Sequence, residues 1–191
     1  MWHKAGMRKI VALLLVALPA CAAEYTLDLK PENTKIGWTL GDTLHIVQGT
    51  FRLERGTIVF DPATGKASGQ IVVNVASGNS GSEARDHRMH ANVLESSKFT
   101  DSTFTPDRFE GTLAVPGIST LKLHGVFSLH GMAHEITMNV QAKAVIDRMD
   151  ASIKFDIPYV AWGMKDPSNF LFKVKKTVEI SIETSGTLQK R

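Results

Sequence analysis

The sequence predicts an all-β domain of antiparallel strands with one short helical insertion. Three observations carry that expectation. Apolar and polar residues alternate with period two in segment after segment, the spacing that sends every second side chain to one face of a strand. Short turns bearing Pro or Gly join these segments, as they join neighbouring antiparallel strands. No second stretch has the length and periodicity of a helix that could carry a crossover between parallel strands.

Taken in order, residues 1–9 carry Lys4, Arg8 and Lys9, residues 10–18 are apolar, and Pro19, Ala20, Cys21, Ala22 and Ala23 supply small residues. That succession is a secretory leader, and its apolar run is too short to span a bilayer. Residues 1–23 are therefore expected to be a signal peptide and 24–191 the folded domain, in the periplasm or outside the cell. Leu18-Pro19-Ala20-Cys21 also resembles a lipobox, which leaves open a lipoprotein anchored through Cys21. Either route removes or modifies the one cysteine, so no disulfide forms within the domain.

Charge follows the same division. The chain has 22 Lys and Arg against 19 Asp and Glu, and three of the cations lie in the leader, leaving 19 of each sign in the domain. Without a cationic surplus or a dense Lys/Arg cluster, nucleic acid is excluded as a partner.

The strand pattern opens with Leu27 and Leu29, then Ile36, Trp38 and Leu40. Leu44, Ile46, Phe51 and Leu53 read as a long strand bent or bulged at Gly49. Residues 57–60 follow and stop at the Asp61-Pro62-Ala63-Thr64-Gly65 turn, after which Ile71, Val73 and Val75 resume. Beyond the insertion, Leu113 and Val115 lead to a turn at Pro116-Gly117, and Leu121 and Leu123 alternate with Lys122 and His124. Phe127 and Leu129 run into His130-Gly131, and Ile136, Met138 and Val140 form the other arm of a hairpin. Ile153, Phe155 and Ile157 end at Pro158; Val178, Ile180 and Ile182 make the last strand. The loop between these two holds Tyr159, Trp162 and Met164, placed to gate an opening, to touch a membrane surface, or to pack as an ordinary loop. A closed barrel and a two-layer sandwich give the same alternation, and periodicity does not choose between them.

Within residues 80–106 the alternation stops and charge and histidine appear together. Ser80 with Glu83 reads as a capping box, Met89/Val93 and His90/Leu94 as i, i+4 pairs, and the helix is expected to end near Ser96. The segment reads as a plug or lid. Arg85 and Asp86 read as a charged pair fixing it in place.

Arg85-Asp86-His87 with Met89, Phe99-Thr100-Asp101 and Phe104 resemble the central motif of the YceI family, roughly R-D-x-H-L, a gap, F-F-D and a further aromatic. His130-Gly131 with His134-Glu135-Ile136 resembles that family's H-G-x-x-K/R-x-V/I hairpin. Tyr25-Thr26-Leu27-Asp28 with Ile36-Gly37-Trp38 resembles its opening. Two departures stand out: His87 directly follows Asp86, and Thr100 replaces the second Phe. The resemblance implies a secreted, lipocalin-like, eight-stranded antiparallel barrel that holds a polyisoprenoid, an isoprenoid quinone or a similar long-chain lipid in its lumen, for carriage or storage. Its lining would come from the inward rows: Ile36 and Trp38; Ile71, Val73 and Val75; Phe127 and Leu129; Ile136, Met138 and Val140; Ile153, Phe155 and Ile157; Val178, Ile180 and Ile182. Arg85, Asp86 and His87 would be structural. Contact with a membrane surface is a further expected partnership, and the oligomeric state is left open.

Two rival readings belong to other classes. His87, His90, His124, His130 and His134 would suit a metal-binding envelope protein, but no H-E-x-x-H, cysteine ligand or regular acidic spacing accompanies them, so no metal site is assigned. A barrel filled by its own side chains would be a structural or stress-related protein. Without a nucleophile elbow, P-loop or dinucleotide fingerprint, neither catalytic residues nor a cofactor are assigned.

Overall fold

Each strand pairs antiparallel with its neighbours, and the pairing closes on itself. The computed structural model describes residues 24–170 and 173–191, so the expected leader over 1–23 lies outside the described residues. The strands are β1 (Tyr25–Leu29), β2 (Thr34–Gly41), β3 (Ile46–Asp61), β4 (Lys66–Asn79), β5 (Asp101–Glu110), β6 (Gly117–Leu129), β7 (Met132–Ala144), β8 (Arg148–Ile157) and β9 (Val178–Lys190). Between β4 and β5 lies a short helix, α1 (Glu83–Arg88), continued by a π-turn at Met89–Val93. From β2 the ring runs through β9, β8, β7, β6, β5 and β4 to β3, which pairs with both β4 and β2.

β1 is the ninth strand of an eight-stave barrel. It pairs with β3 from Tyr25↔Phe60 to Leu29↔Gly56 and with β9 at Tyr25↔Lys190. β2 takes the same two neighbours further along, at Ile36↔Phe51 and Thr34↔Thr184. The two strands occupy one slot, broken by a 3-10 turn at Pro31–Asn33 where proline supplies a preset φ and needs no backbone N–H.

Three expectations are corrected. Residues 46–61 form one strand of 16 residues, and its bulges lie between Thr50 and Arg52 and between Leu53 and Arg55 rather than at Gly49. Gly49 is instead a point of close approach, where a Cβ would stand 2.4 Å from the Trp38 ring. Leu113 and Val115 precede β6 rather than belonging to a strand. β5 itself was hidden by Pro106, which the sheet accommodates at a bulge between Pro106 and Arg108. The expected hairpin at His130-Gly131 is present: both residues have positive φ, 53° and 76°, so the two-residue turn follows the right-handed twist of β6 and β7.

Inward residues of all staves make the core. At the end where Tyr25 pairs with Lys190 it is tight: Phe60 stacks on Tyr25 at 5.7 Å and meets Phe109 edge-on at 5.9 Å. The small inward residues Ala142 and Ala144 are buried at the same end. The other end carries the insertion, the 42–45 turn, the His130-Gly131 turn and the loop after β8.

Candidate functional site

The barrel interior is an apolar lumen in two adjoining chambers that share part of their lining. A wide chamber of about 720 Å³ lies under the insertion, and a narrow one of about 130 Å³ reaches toward the tight end. Ile36, Val73, Ser102, Phe127, Phe155 and Ile182 line both, forming a waist.

Most of the side chains predicted to face inward lie on these walls. Trp38, Val75, Leu129, Ile157, Val178 and Ile180 line the wide chamber. Ile71, Met138, Val140 and Ile153 line the narrow one. Ile36, Val73, Phe127, Phe155 and Ile182 stand at the waist. Ile136 is the exception and reaches neither chamber. It pairs with Gly125, and the Phe104 ring lies over that glycine, within 2.8 Å of where a Cβ would be, so protein atoms close the wall there.

The roof comes from the insertion read above as a plug or lid and from the loop after β8. Met89, Val93 and Leu94 of the insertion and Tyr159 and Met164 of the loop after β8 complete the wide chamber. Spacing singles out Met89, Val93 and Leu94 but does not say that they face the chamber, because the segment is short and irregular. Around the opening stand the polar groups Ser82, Arg85, Arg88, Asn92, Lys165 and Asp166. The result is an oily interior with a charged rim.

The insertion is held differently from the expectation. Ser82, not Ser80, precedes the helix, and its side chain makes no capping bond. Arg85 and Asp86 do not bind each other; both grip Ser80. Arg85 Nε donates to Ser80 Oγ at 2.7 Å and its Nη2 to Ser80 O at 2.9 Å, while Asp86 accepts from Ser80 N–H at 2.9 Å and from Ser80 Oγ. The π-turn bonds Leu94 N–H to Met89 O, five residues back in place of the four of an α-helix. His87 is exposed. Asp86→Ala is expected to leave the Ser80 donors unmatched, worth about 1.5 kcal/mol of local opening, or roughly tenfold faster amide exchange over 83–93. Arg85→Ala should act the same way to a smaller extent. Unchanged protection in both would show that the Ser80 clasp does not hold the segment.

The loop after β8 folds inward. Burial, then the charge of Asp166, pushes the Tyr159 phenol up to about 12, so it stays protonated and donates to Lys175 O at 2.8 Å. Trp162 stacks on His134 at 3.9 Å, and Met164 is buried. Tyr159 is buried as well, and Trp162 is partly buried.

The histidines serve separate local structures. His90 bridges Gly78 O at 2.8 Å and Ser96 Oγ at 3.0 Å, and His130 meets Glu95 at 2.7 Å with its ring 4.2 Å from Phe99. His124 contacts Asp107 at 2.7 Å on the outer wall. Desolvation raises the Asp107 carboxyl pKa, but the His124 hydrogen bond and the His124 and Arg108 charges together bring it below its ordinary value. Among the described residues no three groups of metal-binding type converge.

A family model for the YceI-like domain matches residues 25–185. The chain belongs to the YceI-like family. Its β-barrel is similar to the crystal structure of Burkholderia cenocepacia BcnA, at 18% identity and a TM-score of 0.67 over 83% of this chain and 99% of that one. It is also similar to a polyisoprenoid binding domain from Saccharophagus degradans implicated in plant cell wall breakdown, at 16% identity and a TM-score of 0.61 over 86% and 98% of the two chains. The Campylobacter jejuni YceI protein matches at 16% identity with a TM-score of 0.56, over 97% of this YceI-like chain and 93% of its own. No curated protein matches.

Proposed function

We propose that this YceI-like barrel holds the tail of a polyisoprenoid, an isoprenoid quinone or a similar long-chain lipid in its lumen, as a secreted carrier or store with no chemistry of its own. The observation that carries this reading is the open, apolar interior. Its wide chamber of about 720 Å³ falls within the usual range for small-molecule sites. The narrow chamber of about 130 Å³ continues inward between apolar walls, and a cavity of that size and lining stays dry when empty, so an alkyl or prenyl segment can enter without displacing bound water. The polyisoprenoid-binding description of the Saccharophagus degradans neighbour agrees with this ligand class.

Each methylene removed from water contributes about 0.8 kcal/mol, less the cost of ordering the tail. Affinity should therefore rise with tail length until the narrow chamber is full. The charged rim leaves a polar head group at the opening, in contact with water.

The test is native mass spectrometry of the protein purified from its own envelope. The expected spectrum shows a discrete added mass that solvent extraction releases as a long-chain lipid. A homogeneous ligand-free mass under gentle conditions overturns the proposal.

A further inference from the structure

We propose that one corner of the lumen's opening docks on the surface of an anionic lipid bilayer. The corner is built from the 42–45 turn joining β2 to β3 and from the nearby residues 165–170 and 173–176. Backbone and side-chain bonds join the two parts: Lys175 N–H donates to Gly41 O at 2.9 Å, Lys173 N–H donates to Thr43 Oγ1 at 3.2 Å, and Asp42 bridges Val174. This inference rests on the lipid-holding reading above and names where the lipid is exchanged.

Three large apolar side chains stand out from this corner into water. Leu44 is 69% exposed, Ile46 73% and Phe170 94%. One exposed apolar residue is ordinary on a soluble protein; three on joined segments at the entrance to an apolar lumen form a surface that gains from burial. Four exposed lysines, Lys165, Lys173, Lys175 and Lys176, share the corner. The acidic groups there are Asp42 and Asp166. Asp42 accepts the Leu44 and His45 N–H groups at 2.7 Å each, and these two bonds hold its carboxyl below the usual carboxylate range. Asp166 accepts the Ser168 N–H at 2.8 Å and lies 4.0 Å from Lys176 Nζ. Apolar tips among lysines suit an interface whose interior is hydrocarbon and whose surface is anionic. Lys165 and Asp166 also line the wide chamber, so the docking corner is continuous with the lumen wall. A tail leaving there enters hydrocarbon without crossing water.

Ile118 and Ile146, 75% and 85% exposed, lie at the opposite, tight end and serve as the control. The experiment uses the full chain carrying Cys21→Ser throughout, so that no acyl anchor contributes. Sedimentation with vesicles of phosphatidylcholine and phosphatidylglycerol in equal parts measures docking, and fluorescence titration with farnesol in the absence of vesicles measures tail binding. The parent is expected to bind vesicles in a salt-sensitive way. Leu44→Ser/Ile46→Ser/Phe170→Ser should lower vesicle binding about tenfold or more, since each loses most of an inserted apolar side chain. Lys173→Glu/Lys175→Glu should lower it and weaken its salt dependence. Ile118→Ser/Ile146→Ser should leave it unchanged, and farnesol should bind all variants alike. Farnesol binding without vesicle binding in the parent, or vesicle binding that the mouth variants leave intact, overturns the docking proposal and spares the lipid-holding reading. Loss of vesicle binding only in the Ile118/Ile146 variant overturns it too. A dimer that the triple variant dissociates, with no vesicle binding, assigns the corner to a second copy and overturns it equally. Failure of the parent to bind either farnesol or vesicles removes the lipid-holding reading and the docking proposal together.

Discussion

Val73→Trp is expected to divide the lumen and shorten the longest tail it accepts. Val73 stands at the waist, lining both chambers, opposite Ser102 on β5. An indole there fills the space between the shared walls, leaving the wide chamber open and closing off the narrow one. If about four methylenes of a bound tail occupy the narrow chamber, their loss costs about 3 kcal/mol, roughly a hundredfold in affinity. An octaprenyl ligand should weaken by about that factor, while a geranyl ligand, which the wide chamber holds alone, should change by less than about threefold. The stability cost should be small, about 1 kcal/mol or less, because the added atoms enter empty space rather than a packed core. Titrating a prenyl series against the variant and its parent checks this. Equal weakening of long and short tails would mean that the narrow chamber holds no ligand.

That division into two chambers was only half legible in the sequence. Alternation at Trp38, Val73, Phe127, Phe155 and Ile182 marks these residues as inward, because period two is a local property of a strand. It does not say which staves face each other, so neither the waist nor the tight end could be read. The one-slot arrangement of β1 and β2 is invisible for the same reason: each looks like a complete strand, and only pairing with β3 and β9 shows that one continues the other.

Side chains whose place depends on distant partners were read least well. The sequence neighbours Arg85 and Asp86 suggested a pair, yet both turn to Ser80, because that residue offers a donor and acceptors in the turn leading into the helix. Tyr159, Trp162 and Met164 read equally as a gate, a membrane contact or a packed loop, and two of the three are buried in the roof of the chamber. The outward apolar residues of the opening, Leu44, Ile46 and Phe170, are not marked as outward by any periodicity. Leu44 and Ile46 have the spacing of an inward strand row, and only the turn that breaks β2 from β3 sends them to solvent.

Gly49→Ala is expected to test how the wide chamber keeps its width. Gly49 pairs with Trp38 across β2 and β3, and an added Cβ would stand 2.4 Å from Trp38 Cε2 and Cζ2 and from Asn79 O. No hydrogen bond fixes the indole, since Trp38 Nε1 is buried without a protein partner, so packing on the bare glycine is what holds the ring to the wall. The methyl group must therefore push the ring into the chamber or part β3 from β4. A cost of about 3 kcal/mol is expected, at the upper end for overpacking, which corresponds to a fall in Tm of roughly 10 °C for a domain of this size. Ligand capacity should fall with it, as the ring takes up lumen space. Trp38→Phe in the Gly49→Ala background removes the crowding ring atoms and should restore about 1 kcal/mol or more beyond the sum of the single changes. If Gly49→Ala melts within a degree or so of its parent, the ring has room to move outward, and the chamber's width is set by the strands rather than by this contact.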